Sequence, residues 1–464
     1  MPARIVGDRY RGERACVVGL GRSGLAAARL LLALGARVRA LELCLSDETR
    51  AAWEPLARSG AELITGPHPP EALSGCTLLV RSPGVPDEAP LLRAARASGL
   101  PVISEIELAA REIATPILAI TGTNGKSTTT AWAAHLLARA DLPAVACGNI
   151  GHPLAAAYLE APERIFVAEI SSFQLLDSPG FHPRGAAILN ITPDHLDRHP
   201  DFAAYAAAKW AIARNQDAGD LLAVGPGLAE EARRRTPGVV VECDPADRGR
   251  PDALHVRGDR LWIRRGGQER PLLAVGELAL PGPHNLLNAM AALAVCSRVA
   301  DPLALVPGLR DFPGLPHRLE PVATVDGVRF INDSKATNVD SLRVALESFT
   351  DPVVLIAGGR DKAGDFEAIG DLVARRVMHL VAVGEAAARV RSAYPTVPSE
   401  SAADFASAVA RAYAAARGRG VVLLSPGCAS YDWFRNYEHR GDVFKALVAE
   451  LARREARAAA GKEE

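Results

Sequence analysis

Between Ile117 and Thr129 the chain reads Ile-Leu-Ala-Ile-Thr-Gly-Thr-Asn-Gly-Lys-Ser-Thr-Thr. An apolar run, a glycine-bearing turn, then lysine and hydroxyls at the start of an alanine-rich run are the parts of a phosphate-binding loop. Backbone N–H groups and a helix N-terminus point at the anion, Lys126 adds a charge, and a hydroxyl such as that of Ser127 reaches a metal ion. The spacing is Gly122-x-x-Gly125-Lys126-Ser127, shorter than the usual loop, which would place glycine where Ile120 stands. The competing reading is a loop that only caps a helix. Apolar runs downstream end in Glu169 and in Asp194-His195. The β- and γ-phosphates of a nucleotide call for Mg²⁺, which takes hard oxygen ligands. Glu169 is the best protein carboxylate for it. Glu169 and Asp194 can instead cap helices, and His195 can be a core histidine.

Of 53 Lys plus Arg, six are Lys: 126, 209, 335, 362, 445 and 462. The chain uses arginine for generic charge, so a lysine is suspected of doing what arginine cannot, such as giving up a proton. Lys209 lies mid-helix in Ala206-Ala-Ala-Lys209-Trp210 with no acidic residue at i−4, and a solvated helix lysine is the alternative. Asp333 and Lys335 share one polar stretch and suit phosphate and metal. Lys362, in a Gly-Gly-x-Asp-Lys turn, and Ser430, after a Pro-Gly turn, suit carboxylates. No Gly-x-Ser-x-Gly elbow occurs, and a serine nucleophile is not indicated.

A second glycine-rich turn, Gly19-Leu-Gly21-Arg22-Ser23-Gly24, follows Cys16-Val17-Val18, and Glu42 closes the next apolar run. That is a dinucleotide-type fingerprint with an acid placed for a ribose. Taken alone it points to NAD and an oxidoreductase. Ser82-Pro83-Gly84 ends a further strand, where ligands of open parallel sheets sit.

These residues need alternating strands and helices to hold them, and the sequence supplies that order throughout. The expected class is α/β in three domains. Residues 1–113 form a Rossmann-like domain, 114–314 a central P-loop ATPase-like parallel sheet, and 315–464 a C-terminal Rossmann-like domain. Helices are expected from about Thr129 to Ala140, from Asp201 to about Asn215, and over Pro283–Val299, where Asn285 and Asn288 share a face. Strands are expected over Val102–Glu105 and Ala186–Ile191, with a hairpin across Gly258-Asp259.

The 464 residues are 48% hydrophobic and 23% charged, with net charge −1. This is a core-forming composition with no basic face for nucleic acid. Seven scattered cysteines without a Cys-x-x-Cys pair suit a reducing cytosol. No signal region or membrane span is read, and the expectation is a cytoplasmic monomer with neither nucleic-acid nor membrane partner.

Taken together the motifs resemble the Mur ligases of peptidoglycan synthesis, over essentially the whole chain. The resemblance rests on Thr121–Thr128, the Glu169 segment, His284-Asn285-x-x-Asn288 and His317-Arg318. Within the family, Gly19–Gly24, Ser82–Gly84, Glu169-Ile-Ser-Ser-Phe-Gln174, Asn332-Asp-Ser-Lys-Ala-Thr-Asn338 and Ser425-Pro-Gly-Cys-Ala-Ser430 resemble the branch that adds D-glutamate. The resemblance implies a first domain for the UDP of a sugar nucleotide, a second for ATP, and a third that closes over ATP and recruits D-glutamate. ATP and Mg²⁺ would activate the carboxylate of UDP-N-acetylmuramoyl-L-alanine as an acyl phosphate, which the amine of D-glutamate attacks.

By the same resemblance ATP meets Gly122, Thr123, Asn124, Gly125, Lys126, Ser127, Thr128, Asn285, Asn288, Arg318, Asp333 and Lys335. The UDP-substrate meets Gly21, Arg22, Ser23, Glu42, Ser82, Asn149 and Gln174. D-glutamate meets Thr337, Lys362, Ser430 and Tyr437. The metal meets Ser127, Glu169, His195 and Lys209 as a carbamate, and the catalytic set is Lys126, Glu169, His195 and Lys209. Two stretches depart from the family: Glu42-Leu43-Cys44 where an Asp, a hydroxyl and an Arg usually meet uracil, and Tyr437 where Phe is usual. The alternatives are another Mur-type or folylpolyglutamate-synthase-like ligase, or an NAD-dependent oxidoreductase.

Overall fold

The structure, a computed structural model, describes residues 9–195, 198–361, 364–416 and 418–460. It divides into two compact units, Met1–Leu280 with His284–Phe312, and Pro281–Pro283 with Pro313–Glu464. Among the described residues the strands form three sheets, mostly parallel and flanked by helices.

The amino-terminal unit holds two of them. Across the first, the strands run Glu62–Thr65, Arg37–Glu42, Arg14–Val18, Leu78–Arg81 and Val102–Ser104, all parallel. The order reverses between Arg14–Val18 and Leu78–Arg81, so the loops that follow them, at Gly19 and Ser82, flank one crevice. The central strands are apolar on both faces because both faces are covered. Gly24 packs the Arg22–Ala33 helix onto the preceding turn: a Cβ there would lie 1.9 Å from the Gly19 carbonyl oxygen.

In the second sheet Ile117–Thr121 lies between Gly185–Ile188 and Ile165–Glu169, again with parallel neighbours. Three loops therefore leave one edge together: the phosphate-loop candidate, the Glu169 segment and the Leu189–Thr192 segment. The hairpin expected across Gly258-Asp259 is present as Ala253–Arg257 against Arg260–Arg265, and Gln268–Ala274 extends it. The Lys126–Arg139 helix is held from behind by Trp132, which stacks on Phe312 at 4.9 Å and donates to the Gly308 oxygen at 3.1 Å.

Several boundaries differ from expectation. The helix after the phosphate loop starts at Lys126, not Thr129, because Gly125 rather than a side chain turns the backbone. Glu105 opens a helix instead of ending a strand, since Ser104 caps it by accepting from the Glu107 amide. The Lys209 helix ends at Trp210 and tightens into a 3₁₀ turn over Ala211–Ala213. The Gly185–Ile188 strand stops short of Asn190, which leaves that side chain in a loop.

The carboxyl-terminal unit carries the third sheet, in the order Glu320–Val325, Val328–Asn332, Val421–Leu424, Val353–Gly358, Val377–Val383, Ser399–Ser401. Its first pair is antiparallel and the rest are parallel. Three adjacent strands thus deliver the loops at Asn332, Ser425 and Gly358 to one edge.

Candidate active site

The phosphate loop is built around left-handed Gly125, with φ +84°. A Cβ there would stand 2.3 Å from Asn288 Oδ1, so the loop and the Pro283–Cys296 helix approach as closely as backbone permits. Asn288 also accepts from Thr129 Oγ1 at 3.2 Å and donates to Asn285 Oδ1 at 3.4 Å. Asn288 therefore lies against the loop, with Asn285 bonded to it on the shared face the sequence predicts.

Lys126 curls back over the turn, its Nζ donating to the Gly122 oxygen at 2.9 Å and the Thr123 oxygen at 2.7 Å. Lys209 reaches the same Gly122 oxygen at 2.8 Å from the other side. Far from being a solvated helix lysine, it is 2% exposed, with Nζ 4.6 Å from the centroid of the Tyr205 ring. Burial, then repulsion from Lys126, brings its pKa down to about 6, against an opposing pull from Asp194 and Glu169. At neutral pH this is a free amine.

Glu169 ends its strand buried, and its Oε1 accepts from Asn149 Nδ2 at 2.9 Å. His195 is exposed in a left-handed turn, φ +54°. Asp194 accepts from the His195 amide at 2.9 Å, and the His195 ring meets Phe173 edge-on at 5.3 Å. Ser127 is buried in the first turn of the Lys126–Arg139 helix. Gln174 closes a capping box on the Ser172–Leu176 helix, its Oε1 accepting from the Ser171 amide at 2.8 Å.

Two residues that the sequence did not single out hold the loop. Asn190 Oδ1 accepts from the Thr123 and Asn124 amides at 3.0 and 2.8 Å, and its Nδ2 donates to the Asn124 oxygen at 3.2 Å. Tyr205 lies 3.0 Å from Thr123 Oγ1, and burial pushes its phenol up to about 12. The signal for Asn190 was an amide at the end of an apolar run, hidden by reading the strand through it.

In the first sheet Glu42 turns inward. Its Oε2 accepts from the Leu20 amide at 2.5 Å and its Oε1 from the Cys44 amide at 3.4 Å. Ser82 Oγ donates to the Gly19 oxygen at 2.7 Å, which ties the two crevice loops together. Gly21 and Ser23 flank the start of the Arg22–Ala33 helix, and Arg22 Nη1 reaches the Gly151 oxygen at 3.4 Å.

The carboxyl-terminal unit gathers a separate set. Asp333 is buried, with its oxygens accepting from Ser425 Oγ at 2.8 Å and the Leu319 amide at 3.2 Å. Desolvation raises its pKa to about 7. Asp333 thereby braces the turn that carries Arg318. Lys335 Nζ is 5.1 Å from the Tyr437 ring centroid, and His317 meets the same ring edge-on at 6.1 Å. Thr337 is half-buried and Ser430 buried at the same sheet edge. Lys362 lies outside the described residues. Arg440, also missed in the sequence, clamps two of the loops: it donates to Ser334 Oγ at 2.9 Å, to the Ser334 oxygen at 2.8 Å and to the Cys428 oxygen at 3.2 Å.

The chain matches three family models along its length: the Mur ligase MurD-like N-terminal domain at residues 13–104, the Mur ligase middle domain at 120–242, and the Mur ligase glutamate ligase domain at 317–428. It is 43% identical to the UDP-N-acetylmuramoylalanine--D-glutamate ligase of Salinibacter ruber, over 96% of this chain and 99% of the relative. The enzyme of that name from Myxococcus xanthus is 42% identical, over 95% and 99%. Among solved structures, the fold is similar to that of UDP-N-acetylmuramate-alanine ligase MurC from Thermotoga maritima, with TM-score 0.60 and 19% identity over 94% of this chain and 99% of the other. MurF from Acinetobacter baumannii gives TM-score 0.58 at 18% identity, over 97% and 93%. MurF from Thermotoga maritima in complex with ADP gives 0.56 at 14%, over 90% and 96%. A phosphate loop with a buried free amine beside it, three consecutive domain matches and relatives above 40% identity along almost the full length agree, and the chain belongs to the Mur ligase family.

Proposed function

We propose that this protein joins D-glutamate to UDP-N-acetylmuramoyl-L-alanine at the expense of ATP, as the printed names of its relatives describe for them. The reaction belongs to cytoplasmic assembly of the peptidoglycan precursor. Residues 1–113 take the UDP-sugar, 114–314 take ATP, and 315–464 take the amino acid.

The chemistry starts from a carboxylate, which is a poor electrophile. Transfer of the γ-phosphoryl of ATP to it makes an acyl phosphate with a good leaving group. The amine of D-glutamate then attacks the carbonyl, and loss of phosphate leaves the amide. Several anions must crowd together, so cations carry the catalysis. Lys126, at the N-terminus of the Lys126–Arg139 helix, is the residue proposed to meet the γ-phosphate. Asn285 and Asn288 are the residues proposed for adenine, and Gly122–Thr128 those proposed for the phosphates. Arg318 and Lys335, in the carboxyl-terminal unit, are the remaining cations of the proposed ATP set. Thr337, Lys362, Ser430 and Tyr437 hold the carboxylates of D-glutamate.

The donor set fits Mg²⁺ in its chemistry. Glu169 offers a carboxylate, Ser127 a hydroxyl and His195 an imidazole. Lys209 as an amine is a poor ligand for a hard cation. As a carbamate it presents two oxygens, and a free amine is the form that adds CO2. When bound, Mg²⁺ neutralises charge on the transferring phosphoryl group. The single observation that carries the reading is the convergence of Lys126 and Lys209 on one carbonyl oxygen, with the second amine held neutral.

The test is phosphate release by purified protein with ATP and Mg²⁺. Release should require UDP-N-acetylmuramoyl-L-alanine and D-glutamate together. Equal turnover with L-lysine would assign a different Mur-type ligase, and tight NADH binding would revive an oxidoreductase.

A further inference from the structure

Arg198 lies in the amino-terminal unit, between the crevice of the first sheet and the His195 turn. Its guanidinium carbon is 4.4 Å from the centroid of the Phe173 ring. Its Nη2 reaches back to the main-chain oxygens of Pro83 at 3.4 Å and Val85 at 3.5 Å. Both contacts are long for a charged donor. Arg81 and Arg96 nearby are each ion-paired with Asp87 and Asp177. Among the described residues Arg198 has no such carboxylate.

The platform under it is fixed. Phe173 stacks on His199, with centroids 4.9 Å apart and planes 10° apart, and His199 Nε2 is 2.9 Å from Ser172 Oγ. A guanidinium lying on an aromatic face keeps its N–H groups directed outward, in the plane where a bidentate anion is met. That plane adjoins the Ser82-Pro83-Gly84 turn, which Ser82 Oγ ties to Gly19. The turn and the Gly19 loop flank the strand-order reversal, where the diphosphate of a nucleotide lies in sheets of this kind. In the Gly19 loop the Leu20 amide is already engaged by Glu42, and Arg22, its one cation, reaches out to the Gly151 oxygen. A diphosphate carries more than one negative charge, so a second cation beside Arg22 has work to do at that crevice.

We propose that Arg198 is a ligand of the substrate diphosphate, held ready by Phe173 and by the Pro83 and Val85 carbonyls. This rests on the reading that the first sheet takes a UDP-sugar.

The test is calorimetric binding by the full-length protein of UDP, UDP-N-acetylmuramoyl-L-alanine and a non-hydrolysable ATP analogue, for wild type, Arg198→Ala, Arg198→Gln and Arg198→Lys. Alanine and glutamine should weaken both uridine ligands by roughly 10- to 100-fold, the scale of one charge-assisted contact. Lysine should recover part of that, and the ATP analogue should bind as before. Arg198→Gln keeps a donor for the two carbonyls, so its melting temperature should match wild type. Loss of the sugar nucleotide with unchanged UDP would overturn the proposal, because the anion would then be the terminal carboxylate. Unchanged binding of both, or equal weakening of all three ligands, would also overturn it. A wild-type protein that binds neither uridine ligand would instead remove the UDP-sugar reading, and the proposal with it.

Discussion

Lys209 can be tested by pH and carbon dioxide together. Its amine is 2% exposed and shares the Gly122 oxygen with Lys126, and its pKa falls from 10.5 to about 6. At pH 7 roughly nine-tenths of such amines are neutral, against roughly one in three thousand for an ordinary lysine. Addition of CO2 needs the neutral amine: an N–C bond forms, a proton leaves, and a carboxylate replaces the amine. The change also adds a Coulomb attraction, since Lys126 then faces an anion instead of a neutral amine. With ¹³C-bicarbonate at fixed total concentration above neutral pH, the fall in dissolved CO2 cancels the proton release. The carbamate ¹³C signal then tracks the neutral fraction alone. It should be nearly flat from about pH 7 to 9, and absent in Lys209→Ala. A signal growing tenfold per pH unit over that range would mean an ordinary lysine and refute the reasoning. The sign of the stability effect follows as well. The unfolded chain keeps its proton between about pH 6 and 10.5 while the folded chain does not, so the buried amine costs the fold stability that returns as pH rises. Lys209→Ala should lose roughly 10²- to 10³-fold in kcat, the scale of one preorganised electrostatic group, with partial restoration by acetate or formate.

Gly125→Ala places a Cβ 2.3 Å from Asn288 Oδ1 at φ +84°; it should cost roughly 1–3 kcal/mol and raise the KM for ATP, and an unchanged KM would show that the loop relaxes freely. Asn190→Ala leaves the Thr123 and Asn124 amides without their acceptor; kcat/KM for ATP should fall roughly 10- to 100-fold while UDP binding stays the same, so equal losses for both ligands would point to general unfolding. Glu105, buried with only the Ala155 amide on one oxygen, has its pKa raised from 4.5 to about 7. The folded chain therefore holds a proton the unfolded chain lacks between those values, and the stabilisation this gives below the unfolded value is lost as pH rises through about 7. Glu105→Gln should gain roughly 3 kcal/mol relative to wild type on moving from pH 4.5 to pH 8; a melting-temperature difference that is the same at both pH values would contradict this.

The motifs were legible where they depend on local chemistry. Gly122–Ser127 reads as a phosphate loop because strand, turn and helix must follow one another directly, although the helix start was read three residues late. Asn285 and Asn288 were placed on one face by helical spacing alone. Residues acting across sequence distance were not legible. Asn190 holds Thr123 from 67 positions away, and the amide in Leu189-Asn190-Ile191 does not say which loop it faces. Arg440 joins Ser334 to Cys428 because the parallel order of three strands brings their loops together, an order that no single segment encodes. Lys209 lay between the two cases: its alanine neighbours showed space around it, while its burial came from Tyr205 and the loop it faces.

The Gly19 fingerprint shows how a motif can be present and its usual ligand not follow. In a dinucleotide site the acid after the second strand is turned out to a ribose. Here both Glu42 oxygens accept from backbone amides, so the carboxylate braces the turn from within. Next to it Leu43 is 69% exposed, an apolar side chain where the family usually places a hydroxyl. A base held there would be gripped by shape and main-chain groups more than by charged side chains. Lys126 stands at one sheet's edge beside the neutral Lys209, while Arg22 and Arg198 stand beside the loops of the other. Such a division suits a substrate with anions at two places, a diphosphate and a distant carboxylate, which must be held in register while a third anion, the γ-phosphate, is brought to the second of them. The fold meets that demand by setting two parallel-sheet crevices in one compact unit, so that the register is carried by rigid strands rather than by loops.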